Sequence, residues 1–402
     1  MPTFVLNRFT LGVALAASAG VSHSAGFALI EQNASGLGNA YAGQAASAQD
    51  ASTIYFNPAG LTLLPDRQLV LAGHLIKPQA EFSGSSTIGG GNGGDAGSLA
   101  LVPNAYLAYR LTPEVHVGVG INAPFGLKTE YDSTWAGRTQ AIKSELKTIN
   151  VNPSIGWKVT PTLSLGAGLS IQYAKATLTN NAGAAGLATI KGDNYDGWGY
   201  NLGALWQVTP ATRIGLAYRS EVDQKLEGTA EFSIVTSANT PVTAKVTLPD
   251  SASLSVLHKL TPSLDLLADI TWTGWSDFDE LRIVRSNGTT LGVTPENWDD
   301  SYRYSVGVNY RLNDKLTLRS GVAYDETPVS DTFRTARIPD ESRTWLAFGV
   351  QYRLSASSSI DFGYAHLFIK DASINKTESG VTLTGTYDAS VDILSAQFTH
   401  NF

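Results

Sequence analysis

The chain has 402 residues, 28 basic against 35 acidic, a formal net charge of −7 and no cysteine. An acidic chain without a basic cluster is not built for nucleic acid, and without cysteine it has neither a disulfide framework nor thiolate chemistry. Beyond the amino terminus no run of about 18 apolar residues occurs, which excludes helical membrane spans.

Residues 1–24 carry one positive charge at Arg8, an apolar run from Phe9 to Val21 and a small-residue end at Ser22, His23, Ser24 and Ala25. That order predicts a secretory leader cleaved after Ser24 or Ala25, too short to span a membrane as a helix. The rest contains no Pro/Ser-rich linker, so one large domain is expected rather than two or three ordinary ones. Segment 25–64, GFALIEQNASGLGNAYAG onward from Gly26, is rich in Ala and Gly and follows neither helical nor strand periodicity. Its small side chains suit close backbone approach in a confined space.

From Arg67 the chain alternates. Leu163, Leu165, Ala167, Leu169, Ile171 and Tyr173 fall on one face, with Thr162, Ser164, Gly166, Gly168, Ser170 and Gln172 on the other. Similar rows run from Leu264 to Trp272 and from Tyr302 to Leu312, each long for a globular strand and suited to a tilted membrane strand. Tight turns recur at Leu111, Val159, Val208, Leu260, Leu312 and Leu354, five of them after an aromatic residue: Tyr109, Trp157, Trp206, Tyr310 and Tyr352. The opposite connections are long and polar. Short turns on one rim, long excursions on the other and aromatics at strand ends are the pattern of an outer-membrane barrel.

Six tight turns join twelve strands, and one more at each end makes fourteen. They are expected near 67–82, 99–111, 114–123, 147–160, 162–175, 196–209, 211–233, 243–260, 263–285, 300–312, 314–325, 342–354, 357–370 and 387–402. An even count puts both termini on the periplasmic side, and a sheet in hydrocarbon must close to satisfy its edge groups. The last strand ends on the aromatic Phe402, with Phe398 and Leu394 in its row and His400 as an imperfect member. The predicted fold is all-β, a 14-stranded antiparallel transmembrane barrel over 65–402. Segment 25–64 forms a hatch that plugs the lumen, where Tyr41, Ile54, Tyr55, Phe56 and Leu61 find apolar packing that a free periplasmic arm would deny them.

In the third strand His116, Gly118, Gly120 and Asn122 share the inward row, and Pro124 removes a ladder donor just beyond. The row reads as a gap or bulge in the wall, or as a strand kept slim to admit the plug. Asn57, Pro58 and Ala59 read as a turn that positions the plug, or as part of a ligand pocket. Phe125, Leu127, Tyr131 and Trp135 form an external apolar cluster, either ligand-facing or girdle, and the 175–195 excursion supplies a facing wall.

Three stretches, GFALIEQNASGLGNAYAG at Gly26, DASTIYFNPAGLT at Asp50 and INAPFGLKTEYDSTWAGR at Ile121, resemble the long-chain fatty acid transporters of the Gram-negative outer membrane and their aromatic-hydrocarbon relatives. The resemblance runs from about Gly26 to Phe402. It implies passive transport of hydrophobic molecules: capture by external loops at Phe125, Leu127, Tyr131 and Trp135, a pocket by the hatch at Gly26, Phe27, Asn57, Pro58 and Ala59, and lateral exit beside the third strand at Gly118, Gly120, Asn122 and Pro124. Long-chain fatty acids are the first expectation for cargo and aromatic or alkane hydrocarbons the alternative. A general porin would lack the plug.

A carboxylate head would want a basic partner away from bulk water. Lys128, Arg138, Arg303, Arg311 and Arg319 qualify by type, and pairing with carboxylates such as Asp265, Asp269 or Asp325 competes for them. The histidines are scattered without ligand spacing, and there is no GxSxG, CxxC or phosphate loop, so neither enzyme nor cofactor nor metal is expected. The expected partners are the hydrophobic cargo, outer-membrane lipid and lipopolysaccharide, and the barrel assembly machinery during biogenesis, with the chain acting as a monomer.

Overall fold

The computed structural model describes residues 26–402, so the leader expected at 1–24 lies outside the described residues. Twenty strand segments build fourteen antiparallel staves, because several staves are interrupted near the outer rim. In chain order they begin with β1 (Arg67–Ser86), β2 (Ala100–Arg110), and β3 (Val115–Asn122) with its outer continuation β4 (Gly126–Glu130). β5 (Lys143–Lys158), β6 (Leu163–Asn181) and β7 (Leu187–Gln207) follow, then β8 (Thr212–Arg219) extended by β9 (Val222–Phe232), and β10 (Thr240–Leu248) returning into β11 (Ser251–Thr261). β12 (Leu264–Thr273) leads to an outer hairpin, β13 (Glu280–Arg285) and β14 (Thr290–Pro295), before β15 (Ser301–Arg311), β16 (Leu316–Asp325) and β17 (Arg343–Arg353). β18 (Ser358–Ile369), its extension β19 (Ala372–Glu378) and β20 (Val381–Asn401) complete the wall.

The sheet closes on itself: β20 pairs with β1 from Gln68↔Asn401 to Ser86↔Leu383, so the wall has no free edge there to leave unsatisfied in lipid. Side-chain parity follows the expected rows. On β15 Tyr302, Tyr304 and Val306 face out while Ser301, Arg303 and Ser305 are buried. Five of the six tight turns close with a backbone bond of one pattern, as from Leu111 N to Val115 O at 2.9 Å and Val159 N to Leu163 O at 2.9 Å. The strand-end aromatics Tyr109, Trp157, Trp206, Tyr310 and Tyr352 are all exposed on this rim, as a membrane girdle requires. Phe402 N bonds Arg67 O at 3.1 Å, so the carboxyl end and the start of the barrel share the tight-turn rim, the periplasmic one in such barrels.

The 175–195 excursion is a regular extension of β6 and β7, closing in a short turn at Gly183–Ala185. Its polar sequence hid the strand character because one face looks to water and only the other, through Leu178 and Ile190, to an apolar cavity.

Residues 26–64 lie against the inner wall as short helices, α1 (Ala34–Leu37), α2 (Gln44–Ser47) and α3 (Thr53–Phe56), with a 3-10 turn at Pro58–Leu63. No helix exceeds one turn, which is why no 3.6-residue period appears in the sequence. The wall makes room by omitting side chains: a Cβ on Gly215 would lie 2.0 Å from Ala45 O, and one on Gly321 2.2 Å from Asn39 O. Asn57 fixes the segment laterally. Its Nδ2 donates to Ala45 O at 2.6 Å and to Ala204 O on β7 at 3.0 Å, while its Oδ1 accepts from Ala59 N at 3.1 Å.

Candidate functional site: a sealed break in the wall and two cavities

The β2–β3 ladder runs from Arg110↔His116 to Ala105↔Ile121 and stops. β4 pairs only with β5, so beyond that point β2 stays bonded to β1 on one edge and has no strand partner on the edge that faces β4. Residues 27–32 fill the break. Leu29 N donates to Pro124 O at 2.8 Å, Gly126 N to Phe27 O at 2.9 Å, and Gln32 Nε2 to Ala123 O at 3.1 Å. From the other side Asn104 Nδ2 donates to Glu31 O at 2.8 Å and Tyr106 OH to Gln32 O at 3.1 Å. Buried backbone groups must be paired, and here the amino-terminal segment does for the bend what a neighbouring strand does elsewhere. Pro124 cannot donate, and the Thr148 hydroxyl holds the next residue by accepting from Phe125 N at 3.0 Å and donating to Phe125 O at 2.6 Å. Asn122, last in the row, accepts from Asn150 Nδ2 at 3.1 Å. Gly118 and Gly120 face inward as expected. A Cβ on Gly118 would lie 2.6 Å from Ile54 of α3 and 2.9 Å from Leu107 O on β2, and one on Gly120 2.8 Å from Tyr106, so both the inner segment and the neighbouring strand require their smallness.

Phe27 inserts its ring among four others: centroids lie at 4.6 Å from Trp275, 5.6 Å from Trp298, 5.8 Å from Phe278 and 6.1 Å from Phe125. Edge-to-face contacts of this kind are favourable. Gly26 adopts φ +65° against this box, where a Cβ would lie 2.7 Å from both Trp275 and Trp298, and its N–H donates to the Asp340 carboxylate at 3.0 Å.

A cavity lies on either side of Phe27. The inner one, between the amino-terminal segment and the wall, is lined by Leu29, Tyr41, Phe56 and Trp275 together with Arg219, Arg303, Asp269 and Asp325. The outer one is mostly apolar, with Leu127, Leu178, Ile190, Phe278 and Ile283 on its walls and the buried Glu296, the half-buried Arg337, and also Glu145 and Lys191, as its ionisable groups. Burial pushes the Glu296 carboxyl up to about 8.

The five basic residues picked out by type fall in different places. Arg311 forks onto Asp265 at 2.6 and 2.9 Å, Arg319 pairs with Asp361 at 2.5 Å, and Lys128 pairs with Glu130 at 3.4 Å. Arg138 is bound to backbone carbonyls of Gly89 and Trp135. Of the five, Arg303 lines one of these two cavities and the others line neither; it is bonded to Ala40 O at 2.8 Å with its guanidinium over the Trp345 ring. The external cluster also divides. Phe125 joins the aromatic box and Leu127 the outer cavity, whereas Tyr131 and Trp135 stack at 3.9 Å in a separate buried cluster with Phe82 and Tyr387. Sequence reasoning passed over Arg219, Arg337, Glu296, Trp275, Phe278 and Trp298. The aromatic density of residues 272–278 and the Glu-Asn-Trp at 296–298 were the available signal.

The family model described as outer membrane protein transport protein (OMPP1/FadL/TodX) matches residues 15–402. The chain belongs to this family. It is 32% identical to outer membrane protein P1 of Haemophilus influenzae over 90% of both chains. It is also 29% identical to the long-chain fatty acid transport protein of Escherichia coli O6:H1 (strain CFT073) over 99% of both. The crystal structure of a Pseudomonas aeruginosa FadL homologue superposes with a TM-score of 0.89 at 26% identity, over 94% of this chain and all of that one. This chain is therefore a multi-pass outer-membrane barrel for passive passage of hydrophobic molecules, a transporter and not an enzyme.

Proposed function

We propose that this chain carries long-chain fatty acids, which enter the outer cavity from the loops, pass the aromatic box when Phe27 withdraws, and leave sideways into the membrane between β2 and the β3–β4 bend. One observation carries the reading: the broken wall edge is bonded by residues 27–32 in place of a strand. Shifting those residues opens a side portal while every other stave stays paired. Gly118, Gly120, Asn122 and Pro124 frame that portal, Gly26 and Phe27 close it, and Asn57, Pro58 and Ala59 anchor the segment that moves. Phe125 and Leu127 receive the cargo, with Tyr131 and Trp135 bracing the loop above.

Burying a fatty acyl chain gains roughly 0.8 kcal/mol per CH₂, and the two cavities divide that gain into steps shallow enough to leave. Arg303 and Arg219 line the inner cavity as cationic partners for a carboxylate, in competition with Asp269 and Asp325. A second reading, aromatic hydrocarbons as cargo, is favoured by the four rings around Phe27. The deciding experiment is uptake of radiolabelled oleate and of toluene by an outer-membrane transporter deletion strain expressing this chain at matched surface abundance. Oleate uptake without toluene uptake is the expected result. Toluene uptake without oleate moves the cargo to hydrocarbons, and uptake of neither by a well-assembled barrel overturns both readings.

A further inference from the structure

Arg337 lies between β16 and β17 and faces the outer cavity from the outer side of the box. Its backbone carbonyl accepts from Thr129 Oγ1 at 3.0 Å, which ties it to β4. Only Nη1 of its guanidinium is engaged, donating to Lys143 O at 3.3 Å and Ser144 Oγ at 3.1 Å. Nε and Nη2 meet no acceptor among the described residues, and no carboxylate there lies within ion-pair distance. Glu378 and Glu296 influence it only at longer range. Glu296 accepts from Trp298 Nε1 at 3.1 Å, and its raised carboxyl is largely protonated near neutral pH, so it contributes little negative charge to the cation.

A half-buried guanidinium with no carboxylate in contact is costly, and the free Nε–Nη2 edge is the fork that grips a carboxylate through two parallel bonds. The neutral Glu296 carboxyl can donate a further hydrogen bond. A phosphate dianion would leave a net charge on a single guanidinium in this apolar setting, whereas a monocarboxylate is matched one to one. Leu127, Leu178, Ile190, Leu226 and Ile283 continue from this point as a wall for an alkyl chain.

We propose that Arg337 is a carboxylate-docking site at the outer cavity, which receives the head of a long-chain monocarboxylate while its tail lies along the apolar wall. The site deepens the transport reading by making selection for an acid occur before Phe27 is passed.

The test uses full-length protein in lipid nanodiscs and quenching of tryptophan fluorescence, to which Trp275 and Trp298 report, by 9,10-dibromostearic acid and by 9,10-dibromostearyl alcohol. Empty discs give the partition baseline. Arg337→Met keeps the apolar stem and removes the charge; it is expected to weaken binding of the acid by about tenfold and leave the alcohol unchanged. Arg337→Lys is expected to fall between. Equal weakening of acid and alcohol, unchanged acid binding in Arg337→Met, or no binding by wild type overturns the site. Heat-modifiable migration in SDS confirms that each variant is a folded barrel. Because binding is read without transport, acid binding through Arg337 by a chain that moves no oleate in cells would count against the transport reading and leave the site standing.

Discussion

Glu296 faces Arg337, Lys376, Glu378 and Trp298, and burial outweighs the two cations in setting its carboxyl near 8. Its folded value lies above the ordinary carboxylate range, so the folded state holds a proton that the unfolded chain releases near 4.5. Stability from this group is therefore full below that lower value and declines as pH rises through about 8. Ionisation also places a negative charge beside Arg337, where it competes with a ligand carboxylate. Dibromostearate quenching is expected to weaken between about pH 7 and 9 in the wild type and to stay level in Glu296→Gln. A profile that is the same in both would remove Glu296 from the account. Phe27 acts at the same scale by geometry alone. Phe27→Ala deletes the partition between the cavities, and toluene uptake is expected to rise at wild-type surface abundance; unchanged uptake would mean that the ring is packing and not a barrier.

At the scale of the element, the third stave carries two demands at once. Gly118 and Gly120 leave room for Ile54, and the bend at Ala123–Phe125 interrupts the ladder. Gly118→Phe is expected to abolish oleate uptake with surface abundance intact, and Ile54→Ala added to it separates the two demands. If the glycine is small only to seat the plug, the second substitution restores uptake; if the row frames the portal, as proposed, it does not. Strand parity, tight turns and this glycine row were legible in the sequence because each is written within a few consecutive residues. The aromatic box was not. Phe27 meets Trp275, Phe278 and Trp298 only after some 250 residues of wall have closed, and nothing local marks Trp298 as a partner of Gly26 rather than a girdle residue. Arg303 was recognisable as inward-facing, whereas Arg337, on an irregular segment without parity, could be placed only by the fold.

For the whole molecule, closure of the barrel and closure of the portal are separate matters, since β20 pairs with β1 over nineteen registered positions and needs nothing from residues 27–32. Cargo leaving sideways requires those residues to move, whereas cargo passing straight down to the periplasm would require the Asn57-anchored part to move instead. The natural chain has no cysteine, so an engineered pair can distinguish the routes without interference. Ala28 and Phe125 are bridge partners across the seal, a spacing that suits a disulfide. In Ala28→Cys with Phe125→Cys, the oxidised protein is expected to lose oleate uptake and the same protein after reduction to regain it. The reduced form is the proper control, since both forms lack the Phe125 ring. Uptake that persists with the bond fully formed would send the cargo beneath the plug and refute the lateral route, while leaving the barrel, its two cavities and the Arg337 site in place.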